Sequence, residues 1–318
     1  MADYRALKER HTFLELCQTP TLACEVTMQP IDAFNPDAAI LFADILLPLE
    51  AMGLKIDFNP GPKVFNPIRS RADIEALLTK DRAQSLAYVS ESLRLIRDAL
   101  DRRAQQRGEE RKALLGFAGA PWTMACYALD QQPYKHFEAT QIFAARDQKA
   151  LHLLLEKLAA VTTDYLLLQH EAGADAVQLF DSWAGNLSLA DYERFALPYT
   201  QQILGALRAR GCPTLLYANA AGHLLPAMAK SGADGISIDG RMPLASAEVI
   251  IGERLALQGN LDPTLLFADE AELRLRTKQM LTSLKRRTGY IANLGHGVLQ
   301  HTPPERVQLF IDCVKEGW

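Results

Sequence analysis

Short apolar runs rich in β-formers recur along the chain at about 38–45, 112–118, 175–181, 213–218, 234–238, 254–259 and 289–295, and each reads as a strand. Between them the apolar period changes to that of a helix. Val89, Leu93, Ile96 and Leu100 mark one helical face, residues from Leu151 to Gln169 form a longer apolar helix that stops at Gly173, and Leu224 to Ser231 stops at Gly232. Thr302-Pro303-Pro304-Glu305 supplies an N-cap, first-turn prolines and a capping-box glutamate, so a last helix opens there. Strands alternating with helices along the whole chain predict a parallel sheet with helices packed outside it. No Gly/Ser/Pro-rich linker, low-complexity tract or close repeat interrupts the pattern, and "NPGPKVFNPIRS" (59–70) reads as a turn-rich insertion. Residues 1–318 are therefore expected to form one domain.

Polar residues gather where these runs end. Asp44 follows "AAILFA", Asp181-Ser182 follows "AVQLF", Asn219 follows "TLLYA", Asp239 follows "GISI", Asn260 follows "LALQG" and His296 follows "YIANLG". A (β/α)8 barrel builds its site from the carboxyl ends of its strands, which explains a carboxylate set in so apolar a run as 38–47. A helix N-cap is the competing explanation for any one of these residues. At Asp44 it is weaker, because Ile45, Leu46 and Leu47 continue the apolar run. A doubly wound sheet is the architectural alternative, but no G-x-G-x-x-G or G-x-x-x-x-G-K-[ST] loop follows any strand, which argues against nucleotide binding of those kinds.

Composition removes further classes. The chain has 318 residues, 48% of them hydrophobic and 23% charged, and its net charge of −4 comes from interspersed signs. With no basic stripe to track a phosphate backbone, nucleic acid is not expected as a partner. The charged start "MADYRALKERHTFLEL" does not fit a signal peptide, and no apolar run reaches the roughly 18 residues of a membrane span, so a cytoplasmic protein is expected. Cys17, Cys24, Cys126, Cys212 and Cys313 are scattered without a C-x-x-C, which argues against disulfide and zinc frameworks.

The motifs "LACEVTMQPIDAFNPDAAILFADILLPLEAMGL", "GFAGAPWTMACY", "GADAVQLFDSWAGNLS" with "FALPY", "LQGNLDP" and "NLGHGVLQHTPPERV" run in order through the chain. In these, it resembles the uroporphyrinogen decarboxylase family of haem biosynthesis from its first residue to its last. The resemblance implies a (β/α)8 barrel, usually a homodimer, that decarboxylates the four acetate side chains of a tetrapyrrole, uroporphyrinogen, with no metal or organic cofactor. It places the family's catalytic aspartate on Asp44, its substrate-contacting tyrosine on Tyr127, its serine on Ser182 with Phe180 beside it, and its histidine on His296.

Those residue types suit the implied chemistry. A pyrrole acetate loses carbon dioxide once the ring is protonated at carbon, and positive charge then develops on the pyrrole nitrogens. A carboxylate accepting hydrogen bonds from the central N–H groups stabilises that charge, most strongly where water is scarce. His296 and Tyr127 can hold or protonate side-chain carboxylates, Ser182 can donate a hydrogen bond and Phe180 can lie against a pyrrole face. For His296 a structural role, capping the tight Gly295–Gly297 turn, is equally open from the residues alone. Asp239, Asn260 and the Trp122 motif read as structural.

Two departures from the family pattern stand out. In the family, a strand followed by an Arg-Gln-Ala-Gly-Arg-Tyr stretch precedes the segment matching "MADYRALKERHTFLELCQTP", so a barrel without its first strand is expected here. Seven strands are legible where a closed barrel has eight, no arginine is evident at a strand end, and a further family arginine position falls on Lys8. The expected consequences are a gap between the runs at 38–45 and 289–295, and weak turnover unless upstream residues are present. The second departure is Gly240, where the family commonly has tryptophan. Two alternatives to the decarboxylase remain. One is an inactive porphyrin-binding or dimerising remnant. The other is a cobalamin-linked methyltransferase of the same superfamily, disfavoured because "LYANAAGHLLPAM" and the rest of the chain lack the His-x-Cys zinc pair.

Overall fold

The computed structural model describes residues 1–59, 61–81, 84–130, 137–286 and 288–317. The nine strands described are β1 (Ala38–Ile40), β2 (Ile56–Asp57), β3 (Lys63–Val64), β4 (Ala113–Gly119), β5 (Ala176–Asp181), β6 (Thr214–Ala218), β7 (Gly235–Ser237), β8 (Ala256–Leu261) and β9 (Tyr290–Leu294). β1 and β4 to β9 form one parallel sheet in the order β1-β4-β5-β6-β7-β8-β9, while β2 and β3 make a separate antiparallel hairpin. Every sheet strand thus lies where an apolar run predicts it.

Side chains from non-adjacent strands meet inside the sheet, so it curls into most of a barrel. Gln258 on β8 donates to Gln178 on β5 at 3.1 Å and to Ser237 on β7 at 2.9 Å, and the Tyr217 hydroxyl on β6 donates to the Gly295 carbonyl just past β9 at 3.1 Å. These buried amides and hydroxyls are acceptable inside the barrel because each finds a partner. Among the described residues β1 and β9 do not pair with each other, and the open edge falls where the seven-strand count predicts it.

Two local expectations change. The first run is a strand only over Ala38–Ile40; the Phe42 N–H turns to the Thr27 hydroxyl at 2.9 Å, and the chain through Asp44 leaves the strand line. Lys63 and Val64, within the segment read as turn-rich, pair with Asp57 and Ile56.

The helices follow the apolar stripes. Ala87–Arg107 buries Val89, Leu93, Ile96 and Leu100 and ends at Gly108, whose φ of 62° is left-handed, a conformation that favours glycine. Gln148–Glu171 packs on the sheet and delivers the buried Gln169 to β4. There the Gln169 side chain closes a two-bond pair with the backbone of Phe117, at 2.7 and 2.8 Å. A Cβ on the preceding Gly116 would stand 2.3 Å from the Gln169 oxygen, so glycine is required for that approach. Pro304–Gly317 forms the final helix. One contiguous apolar cluster runs from Cys17 to Phe310.

Candidate functional site

At the carboxyl ends of β1, β4 and β5 lies an open cavity of about 350 Å³. Asp44, Phe180 and Ser182 line it, with Phe117, Ile40 and Ile45 among the apolar walls. Asp44 is thus brought to the same surface as Phe180 and Ser182, far along the chain, by the parallel register of neighbouring strands.

Asp44 sits in the turn between β1 and the helix Leu47–Ala51, and its Oδ1 accepts the Leu46 N–H at 2.8 Å. The helix that follows has Leu46 at its N-cap and no side-chain cap bond, so Asp44 is not a helix N-cap; its bond to Leu46 closes a turn that presents the carboxylate at the cavity wall. Burial among apolar side chains pushes its pKa up to about 6, with the Leu46 hydrogen bond opposing the rise.

Phe180 stands edge-on to Phe117 at 5.7 Å and to Tyr217 at 5.7 Å, which fixes its ring without a polar contact. Tyr127, on the helix Pro121–Leu129, packs edge-on to Phe137 at 5.8 Å and Trp183 at 6.2 Å. Its hydroxyl pKa is raised, mainly by burial and in part by the negative charge of Asp44, so the two groups share one electrostatic neighbourhood.

His296 and Lys8 are placed differently. His296 is exposed, and its Nδ1 accepts the Gly297 N–H at 2.8 Å, the local turn contact its flanking glycines suggest. It is not among the residues lining the Asp44 cavity. Lys8 ends the exposed helix Ala2–Lys8, its ammonium 5.9 Å from the centroid of Tyr4, which in turn packs on Phe42 at 5.8 Å. That chain of contacts brings Lys8 to the Asp44 segment without placing it on the cavity wall.

Asp239 and Asn260 serve the backbone. Asp239 accepts the N–H groups of Ala220 and Arg241, and the Asn260 amide donates to the carbonyls of Asp239 and Met242. Trp122 is buried, as its motif suggests. The space below Asp239, between Ala218, Leu225 and Met242, is about 10 Å³, room for one water at most.

Sequence reasoning missed one residue and gave another, Asp181, no role beyond its place at a strand end. Arg241 is a cation just past β7, paired with Asp239 at 3.3 Å and Asn219 at 3.2 Å; the run "DGR" carried the signal. Asp181, fully buried beside Ser182, accepts the Thr123 hydroxyl at 2.7 Å. Among the described residues no group of three or more His, Cys, Asp or Glu side chains is arranged to hold a metal, and no helix is long and apolar enough to cross a membrane.

Comparison with known proteins extends these observations. A protein from Trichlorobacter lovleyi named uroporphyrinogen decarboxylase is 42% identical over 99% of this chain and 90% of its own length. One of the same name from Geobacter sulfurreducens is 40% identical with the same coverage. Among solved structures, a methyltransferase from Methanosarcina mazei superposes with a TM-score of 0.81 over 96% of this chain and 88% of its own, at 20% identity, which speaks to the shared fold alone. The family model described as uroporphyrinogen decarboxylase matches residues 1–317, and the chain belongs to that family.

Proposed function

We propose that this protein decarboxylates the four acetate side chains of uroporphyrinogen III to give coproporphyrinogen III. The observation that carries the proposal is the meeting of Asp44, Phe180 and Ser182 on one cavity, beside Tyr127, in a chain whose family membership is established across its length. In the proposed reaction a proton adds to a pyrrole carbon, the bond to the carboxyl carbon breaks, and its electron pair enters the protonated ring as carbon dioxide leaves. Protonation of the exocyclic carbon and loss of the ring proton then leave a methyl group, so one proton is consumed per carbon dioxide released. Asp44, ionised above about pH 6, accepts the pyrrole N–H groups and stabilises the developing cation. Phe180 offers a ring face, while Ser182 and Tyr127 donate to the substrate. His296 and Lys8 would meet carboxylates at the outer edge of the macrocycle. The proposal includes a homodimer acting in the cytoplasm, with residues 1–318 working as one domain and no added cofactor.

The test is to incubate the protein with uroporphyrinogen III under reducing, anaerobic conditions, oxidise the products and separate them by carboxyl number. Porphyrins with seven, six, five and finally four carboxylates are expected, in equal yield with and without EDTA. Recovery of only the eight-carboxylate porphyrin overturns the proposal, and a loss with EDTA that zinc restores points instead to methyltransferase chemistry.

A further inference from the structure

β5 ends at Asp181, and Ser182 follows it with the opposite aspect. Ser182 faces the cavity, whereas Asp181 is fully buried on the other side, against the helix Pro121–Leu129. The fully buried Thr123 lies in that helix's first turn. Its hydroxyl donates to Asp181 Oδ1 at 2.7 Å and accepts the Trp183 N–H at 3.1 Å. One hydroxyl therefore ties down both residues flanking Ser182. The same helix is anchored at its start, where the Ala120 N–H donates to the Phe180 carbonyl at 2.8 Å.

Thr123 and Tyr127 are four residues apart on that helix, so they share a face one turn apart. Tyr127 then packs edge-on to the ring of Trp183, the residue whose backbone Thr123 holds. The connections close a circuit: Asp181 to Thr123, Thr123 to the Trp183 backbone, the Trp183 ring to Tyr127, and Tyr127 back along the helix to Thr123. Ser182 is held in the middle.

Burying Asp181 is expensive. Its Oδ2 takes no hydrogen bond among the described residues, and burial pushes the carboxyl pKa up to about 6. An apolar residue would pack between strand and helix at lower cost, so stability alone does not account for a carboxylate there.

We infer that Asp181 and Thr123 are positioning residues, which set the Ser182 and Tyr127 side chains at the orientation needed to bind the substrate. The inference rests on the decarboxylase reading of the cavity. It adds two residues that touch no substrate.

The test is a double-mutant cycle read in steady-state kinetics on uroporphyrinogen, with Tm measured for every variant. Thr123→Val keeps the shape but removes the donor and acceptor; it is expected to raise KM about tenfold, with a smaller change in kcat. Thr123→Ser, which restores the hydroxyl, is expected to return KM to within about threefold of the unmodified protein. In a Ser182→Ala background the Thr123→Val effect is expected to shrink to about threefold or less, because the group being positioned is gone. If Thr123→Val does not fold, Thr123→Ala is read in the same way.

The same KM factor with and without Ser182 overturns the inference, as does a lower Tm with unchanged KM. Both results leave the decarboxylase reading intact. Failure of the unmodified protein to produce any lower-carboxylate porphyrin overturns that reading, and this inference with it.

Discussion

The Oδ1 of Asp44 accepts the backbone N–H of Leu46 at 2.8 Å, and no other hydrogen bond to this carboxylate occurs among the described residues. One oxygen is thus committed to the turn that opens the helix Leu47–Ala51, and the other remains for the cavity. A turn contact of this kind orients the carboxylate at little cost, since it also satisfies a donor near the helix start.

Acid sensitivity follows from the same carboxylate. Only its ionised form stabilises a cation, so kcat/KM is expected to fall as pH drops below about 6. Stability moves the other way. Because burial raises the folded pKa above the ordinary value of 3.8, the folded state binds a proton more tightly than the unfolded state between those two values. Charging Asp44 therefore opposes folding at neutral pH, and this penalty shrinks as pH falls from about 6 towards 3.8. Asp44→Asn should raise Tm at pH 7, and the difference from the unmodified protein should narrow towards pH 5. Tm curves for the pair check this; a difference that widens on acidification contradicts it.

The loop carrying His296 depends on a backbone contact. A Cβ at Gly295 would stand 2.3 Å from the Gly240 nitrogen, and one at Gly240 would approach the Asn260 carbonyl and Asp262 at 3.2 Å. Glycine at 240 therefore belongs to a close packing of the β7, β8 and β9 ends. Gly295→Ala should displace the loop, lowering Tm and also raising KM if His296 meets a substrate carboxylate. Measuring both separates the two effects: an unchanged KM in the folded fraction removes His296 from binding.

At the open side of the sheet, Ile40 on β1 and Ile291 on β9 are exposed at 45% and 44%. Unpaired parallel edges with apolar side chains invite association between chains. Ile291→Lys should reduce concentration-dependent association in light scattering at constant far-UV circular dichroism. Unchanged association would place the contact elsewhere.

Much of this architecture was legible in period and spacing, because strands buried on both faces are continuous apolar runs and helices show their stripe. The apolar run overextends the first strand for a physical reason: "LFA" is as apolar as "AAI", while the Thr27 hydroxyl, distant in sequence, takes the Phe42 N–H away from the strand line. Asp44 and Ser182 are legible as strand-end residues, and Phe180 through the family motif alone. The role of Asp181 is not, since adjacent residues on a strand look alike in sequence while facing opposite sides. Arg241 escaped because β7 is only three residues long and its cation lies four residues beyond the last of them.

The central claim is that the Asp44 carboxylate stabilises the charge developed on the pyrroles, and single-turnover kinetics of Asp44→Asn against the unmodified protein tests it most directly. With porphyrin binding followed separately by fluorescence quenching, Kd is predicted to change by no more than a few-fold, while the rate constant for the first decarboxylation falls about 10²-fold or more, the effect of removing one preorganised electrostatic group. A folded Asp44→Asn protein that decarboxylates at close to the unmodified rate would contradict the account and leave Asp44 as a turn residue alone.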